Sequence, residues 1–255
     1  MKKILVLLII LFSWGVMGES VKNKNNTVTI YFARHGKTLF NTFDRVQGWA
    51  DSPLTEPGIE VAKYLGEGLK DIKFSGYYSS DAGRQRETME VILNQMGIKN
   101  YKVEEKKGLR EVFYGRFEGE FNSTAKEAAA KGMGMSTEEY LKNFDKIEIS
   151  RVVDAIAKED PKGLAENYSQ VKERTQRALK EIAEETAAKG GGNVLVISSG
   201  MSIQVMISDM TDNPQKNKGL SNAAVVKIIY NNGKFTVDEI GNMKYVEKGK
   251  KQLEN

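Results

Sequence analysis

Short runs rich in β-branched and aromatic residues recur along this chain, each followed by a turn and then by apolar residues at helical spacing, and that alternation leaves few folds open. Thr27 to Ala33 is the first such run and reads as a buried strand ending in the turn Arg34-His35-Gly36. From Thr55, an N-cap ahead of Glu56 and Pro57, the residues Ile59, Ala62, Leu65 and Leu69 mark a helix. Gly76 to Ser80 is a second short strand and leads into a helix over Arg84 to Met96. A long helix from about Asn167 to Lys189 stops at Gly190-Gly191-Gly192, the apolar strand Asn193 to Ser198 follows, and another helix starts after Gly200. A last strand, Ala223 to Tyr230, pairs with a neighbour through the turn Asn231-Asn232-Gly233. The pattern predicts an α/β three-layer sandwich, a mostly parallel central sheet with helices on both faces.

Residues 120 to 165 break this rhythm. A helical stretch from Ala125 to Lys131, a Gly132-Met133-Gly134-Met135 interruption and two further helical runs form an insertion between core elements. The folded domain is thus expected over residues 27–240 of the 255, with a basic tail, 241–255, frayed or solvated. The first eighteen residues read as a secretory signal peptide: Lys2 and Lys3, an apolar run from Ile4 to Phe12, and the small-residue site Val16-Met17-Gly18. The apolar run is short for a membrane anchor, so an exported protein, periplasmic or secreted, is expected, with no stable membrane insertion after cleavage.

Loss of residues 1–18 removes Lys2 and Lys3 and no acid, so the formal charge falls from +4 to +2, too mild to argue for nucleic acid or a membrane surface as partner. No cysteine occurs, which excludes disulfides, thiol nucleophiles and thiolate metal sites; with one histidine, a zinc site of the usual ligands is not expected either. No cofactor or metal is implied. In a doubly wound sheet ligands bind beyond the carboxyl ends of the strands, and Arg34-His35-Gly36, Ser79 to Arg86 and Ser198-Ser199-Gly200 all fall there.

The residue types at these ends suit phosphate. A phosphoryl group in transfer spreads charge over its oxygens and is stabilised by fixed guanidinium forks, which Arg34 and Arg84 supply. The neutral imidazole of His35 is a candidate nucleophile, and the carboxyl of Glu111, in a loop ahead of the insertion, a candidate proton donor to the leaving alkoxide. The expected partner is a small phosphorylated substrate.

The motifs that follow identify a resemblance to the histidine phosphatase superfamily, in its phosphoglycerate mutase-like branch. Arg34-His35-Gly36-Lys37-Thr38 with Asn41 is similar to the family's opening motif, which implies that His35 is the phosphorylated histidine and that Arg34 and Asn41 belong to the phosphate pocket. Gln47-Gly48, Asp51, Pro53-Leu54-Thr55 and Gly58 continue the match; Ser79-Ser80-Asp81 with Arg84 and Thr88 resembles the second arginine segment. Leu109-Arg110-Glu111 with Gly115 and Glu118-Gly119 resembles the proton-donor segment, Glu166 and Arg174 a helix motif, and Asn222 the last-strand motif. The resemblance also implies that the insertion folds over the pocket as a helical cap, where Met133 and Met135 either line an apolar wall or pack locally.

One departure stands out. Where the family usually has a Ser-His-Gly turn, this chain reads Ser198-Ser199-Gly200, so the resemblance implies a serine in place of the second catalytic histidine. A hydroxyl donates one hydrogen bond but carries no charge, and by analogy with losing one preorganised donor the barrier rises by roughly 3–4 kcal/mol, about 10²- to 10³-fold in rate. The backbone N–H groups of Gly200 and Met201 are left to contact an anion. Three readings stay open: a slowed phosphatase, a phospholigand-binding pseudoenzyme, and an active enzyme altered at this position. A phosphoglycerate mutase-type phosphotransferase is a further alternative, disfavoured because Gly115 to Ala130 contains only Arg116 and Lys126 as basic residues and because Phe117-Glu118-Gly119 resembles the phosphatase members.

Overall fold

The computed structural model describes residues 26–255, so the signal-peptide reading of residues 1–18 lies outside the described residues. The described chain begins with β1 (Val28–Arg34), α1 (Leu39–Thr42), α2 (Glu56–Leu69), β2 (Phe74–Ser79), α3 (Gly83–Gln95) and β3 (Val103–Glu105). The insertion then contributes α4 (Asn122–Gly132), α5 (Thr137–Asn143) and α6 (Ile149–Glu159). The core resumes with α7 (Tyr168–Ala188), β4 (Gly192–Ser198), α8 (Gly200–Ile207), β5 (Val225–Asn231), β6 (Lys234–Asn242) and α9 (Lys244–Leu253). Helix starts follow their caps: Thr55 accepts the Gly58 N–H, and Asn167 forms a capping box with Gln170.

The sheet is six-stranded and mixed, in the order β3-β2-β4-β1-β5-β6. β1 to β4 run parallel; β5 is antiparallel to β1, and β6 to β5. Successive side chains of a strand point to opposite faces, and β1 shows the consequence. Val28, Ile30 and Phe32 join Val194 and Val196 in a core closed by Leu179 and Ile182 of α7 and Ile203 and Met206 of α8. Tyr31 and Ala33 join Leu195 and Ile197 in the opposite core, closed by Leu65 and Leu69 of α2 and Met89 and Ile92 of α3. The parallel register places Arg34 beside Ser198, and Ser79 beside Ile197, so the ends of β1, β4 and β2 lie side by side.

The insertion has its own apolar core, from Ala125 and Ala129 of α4 and Val152, Val153 and Ile156 of α6, and it is continuous with Val46, Val112, Val171 and Val205 of the main body. Gly132 permits the contact of α4 with α6, since a Cβ there would stand 2.5 Å from the Ala155 carbonyl oxygen. Met133 and Met135 pack against this core.

The expectation of a frayed basic tail is corrected. Residues 244–253 form α9, which lies along α2: a Cβ on Gly249 would stand 1.9 Å from Tyr64 O, and one on Gly68 1.8 Å from Tyr245 O. Val246 and Gly249 are buried three residues apart, whereas Lys244, Lys248, Lys250 and Lys251 are exposed, so the basic residues form the outer face of an amphipathic helix. β3 is also absent from the sequence reading, because three residues with two glutamates at a sheet edge carry no alternation to detect. Among the described residues no helix is long and apolar enough to cross a membrane.

Candidate active site

The turn after β1 is fixed by backbone bonds to its neighbours. The His35 N–H donates to Ser198 O at 3.1 Å, the His35 carbonyl accepts the Asn222 side-chain amide at 2.9 Å, and the Gly36 N–H donates to Thr88 Oγ1 at 2.9 Å. Gly36 is required sterically, since a Cβ there would stand 2.5 Å from Gly58 O at the start of α2. This frame leaves His35 only 3% exposed. Its Nδ1 lies 2.8 Å from Gly36 O, which requires Nδ1 to carry the proton and leaves the Nε2 lone pair free. Burial holds the imidazole well below the ordinary histidine value, and the charges of Arg84 and Arg34 push the same way.

Both guanidinium groups are anchored and incompletely satisfied. Arg34 Nη1 donates to Leu220 O, while its Nε is buried without a partner. The start of α8 lies against this guanidinium, a Cβ on Gly200 falling in ordinary contact with Nε at 3.4 Å. Burial lowers the pKa of Arg34, opposed by the nearby Glu111 carboxylate. Arg84 is fully buried: Nη1 donates to Asp51 Oδ1 at 2.8 Å and Ala50 O at 3.2 Å, and Nη2 to Gly48 O at 2.7 Å, but its Nε has no partner. Among the described residues, these two buried N–H groups therefore stand without acceptors, one at the end of β1 and one at the start of α3.

Glu111 sits where a helix N-terminus favours a carboxylate. Its Oε2 accepts the Met201 N–H at 3.0 Å, and its Oε1 accepts the N–H groups of Ser202 at 2.7 Å and Val112 at 2.9 Å. The expectation that the Met201 amide is left for an anion is thereby corrected: Glu111 occupies it. Arg174 positions the Glu111 loop by donating to the carbonyls of Gly108, Arg110 and Glu111, and is held by a two-point pair with Glu166. Glu118 does the same for the 48–50 loop, accepting the amides of Gly48, Trp49 and Ala50.

A cavity of about 260 Å³ opens over this frame. Of the residues singled out from sequence, Arg34, His35, Asn41, Gln47, Glu111 and Gly200 line it, whereas Arg84, Gly48 and Ser199 do not. Gln47 is held by Thr38 and Ser52, and Asn41 caps the Thr38 amide. The insertion closes one side with Ala125, Tyr140, Phe144, Val152 and Ile156, and adds Lys126. Sequence reading missed Tyr114, Arg45 and Gln204 on the wall. Tyr114 lies three residues after Glu111 and donates to Met201 Sδ at 3.2 Å; burial raises its pKa well above the usual tyrosine value. Arg45 lies in the loop after α1, far in sequence from the proton-donor segment, whose own Arg116 pairs with Glu120 and is not on the wall.

With this geometry in place, the likenesses to known proteins are informative. Residues 30–243 match the family described as histidine phosphatase superfamily (branch 1). The probable phosphoglycerate mutase GpmB of Erwinia tasmaniensis is 27% identical over 203 residues, covering 78% of this chain and 83% of that protein. Among solved structures, phosphoglycerate mutase from Bacillus anthracis strain Sterne superposes with a TM-score of 0.84 at 45% identity, covering 89% of this chain and 98% of its own. A mycobacterial glucosyl-3-phosphoglycerate phosphatase shares the fold, with a TM-score of 0.64 at 20% identity over 84% of this chain and 99% of its own.

Proposed function

The chain belongs to the histidine phosphatase superfamily, branch 1, and we propose that within it the protein is a phosphomonoester hydrolase that works through a phosphohistidine on His35. The observation that carries this reading is the state of His35: a buried, neutral imidazole whose Nδ1 is committed to Gly36 O, so that Nε2 is the nucleophilic atom. Nε2 attacks phosphorus, the P–O bond to the leaving group breaks, and the departing oxygen takes a proton from Glu111. Oε2, which accepts a single backbone N–H, is the oxygen of Glu111 free to carry that proton. Glu111 then removes a proton from water as the water attacks the phosphohistidine, which restores the starting state and releases phosphate. The unpartnered Nε atoms of Arg34 and Arg84 are donors for the phosphoryl oxygens. Ser199 stands where the family resemblance puts a second histidine, so turnover is slow. The signal-like residues 1–18 support the further proposal that this activity is exported.

A second reading, transfer of phosphate between two hydroxyls as in a phosphoglycerate mutase, is favoured by Arg45 and Lys126 on the cavity wall, which offer a second anion a place. It is favoured too by the likeness to a probable phosphoglycerate mutase and to a solved phosphoglycerate mutase. One experiment separates the readings. The purified protein is incubated with p-nitrophenyl phosphate or 3-phosphoglycerate, and released phosphate, 2-phosphoglycerate and acid-labile protein-bound phosphate are measured. Hydrolysis predicts free phosphate from the aryl ester and acid-labile phosphate on the wild type but not on His35→Ala. Isomerisation of 3-phosphoglycerate without phosphate release supports the mutase; absence of protein-bound phosphate in every case sinks both.

A further inference from the structure

Ser199 is the N-cap of α8, a position where serine ordinarily folds its hydroxyl onto the first amides of its own helix, yet Oγ makes no such bond. Those amides are taken by Glu111. Oγ turns away and accepts Nε2–H of Gln85 at 2.9 Å and Nη2–H of Arg84 at 3.4 Å. Gln85 is itself locked, with Oε1 accepting the Ser80 N–H at 3.0 Å and Nε2 also reaching Leu109 O at 3.4 Å. A hydroxyl has two acceptor lone pairs and one hydrogen to give. Both lone pairs of Ser199 are occupied, and none of the described residues accepts its hydrogen, at a side chain with no solvent exposure.

The same condition holds at Nε of Arg34 and of Arg84. Two of these residues sit on the adjoining ends of β1 and β4, since Arg34 precedes His35 and Ser199 follows Ser198, whose carbonyl accepts the His35 N–H; Arg84 reaches the same place by donating to Ser199 Oγ. Ser199 is one residue behind the Gly200 that lines the cavity. We infer that Gln85 fixes the Ser199 hydroxyl as a hydrogen-bond donor to the phosphoryl group carried by His35, so that the two residues act as one unit. This rests on the reading of His35 as the phosphorylated residue. Gln85 is the positioning residue and Ser199 the donor. The pair has a steric corollary: an imidazole built in the direction of Ser199 Oγ would meet the Gln85 carboxamide, which lies 2.9 Å from that oxygen, so Ser199→His is expected to fit better beside a smaller residue 85.

The test uses the full chain with orthovanadate, which adopts the five-coordinate geometry of transfer, and inorganic phosphate, which does not. Affinities by calorimetry, thermal melts and p-nitrophenyl phosphate rates are compared for the wild type, Ser199→Ala, Gln85→Ala and their double variant. Loss of a hydrogen bond to a charged group weakens vanadate binding by about 10- to 100-fold in Ser199→Ala, and phosphate binding by less. Gln85→Ala loses nearly as much although its hydroxyl partner remains, and the double variant binds no more weakly than Ser199→Ala. Ser199→His melts lower than the wild type, and Gln85→Ala/Ser199→His regains the melting temperature. A folded Ser199→Ala with wild-type vanadate affinity overturns the inference, as does additivity of the two alanine variants. If Ser199→Ala and Gln85→Ala lose vanadate together while no variant releases phosphate, the donor pair stands and the proposed hydrolysis falls. If hydrolysis depends on His35 but on neither Ser199 nor Gln85, the reverse holds. A wild type that binds neither anion overturns both.

Discussion

His35 is the only histidine of the chain, so its imidazole resonances need no assignment and its ionisation can be read directly. Burial and two neighbouring guanidinium groups disfavour the imidazolium, so the C2–H resonance of the folded protein should stay at its neutral position as the pH falls through the ordinary histidine value of 6.5. The same shift enters stability. The unfolded chain takes up a proton near 6.5 and the folded chain only well below it, so the contribution of His35 is complete above 6.5 and is lost as the pH falls towards the folded value. Denaturant titrations of wild type and His35→Asn should therefore diverge in slope below 6.5, the wild type losing stability faster. A resonance titrating at or above 6.5 contradicts the buried-neutral site. The candidate site was legible where residue type alone marks it: a lone histidine beside an arginine at a strand exit needs no tertiary information. The roles of Glu111 and Arg84 were less legible, because what they touch is set by partners distant in sequence. Glu111 is fixed by amides about ninety residues away, at Met201 and Ser202, and Arg84 by Asp51, thirty-three residues upstream.

At the scale of elements, periodicity revealed the helices and central strands because each has one face in a large core, but it failed at the C-terminus. α9 has four lysines in ten residues, and its docking face is confined to Tyr245, Val246 and the absence of a side chain at Gly249. Glycine reads as a helix breaker in isolation, whereas here it allows backbone-to-backbone approach to α2. Gly249→Val should force α9 off α2, because the new Cβ would meet the Tyr64 carbonyl oxygen at 1.9 Å. The loss includes burial of Val246 and the edge contact of Tyr245 with Tyr31 at 6.0 Å, so about 2–4 kcal/mol of stability should go, read as a lower melting temperature. Lys248→Ala, which removes an exposed pair with Asp71, should leave the melting temperature essentially unchanged. Equal effects of the two substitutions refute close packing as the reason the helix docks.

In the whole molecule, the parallel strands β1, β4 and β2 bring their carboxyl ends together, and the insertion leans over them on a core shared through Val171 and Val205. The insertion is thus continuous with the domain, and the molecule should unfold in one transition. The cavity draws its walls from β1, α1, α4, α5, α6, α8 and the loops between them, so an anion that binds there ties distant segments to one ligand. Among the described residues the Nε of Arg34, a residue of the cavity wall, is buried without a partner, so an anion seated against it would supply the missing acceptor. Inorganic phosphate should therefore raise the temperature of the single transition saturably, reaching about 2.7 kcal/mol of stabilisation at a concentration one hundred times the dissociation constant. Sodium chloride at matched ionic strength should not reproduce it, because screening acts on exposed charges and these are enclosed. Arg34→Met should abolish most of the shift, since it removes one of the orphaned donors from the cavity wall. The decisive signal is the shape of the melt: fluorescence from a dye on Lys142→Cys, in α5 of the insertion of a chain with no other cysteine, should move with the far-ultraviolet dichroism of the sheet and helices, both displaced by phosphate to the same extent. If phosphate displaces one probe and not the other, the insertion is an independent unit and the cavity does not couple it to the domain.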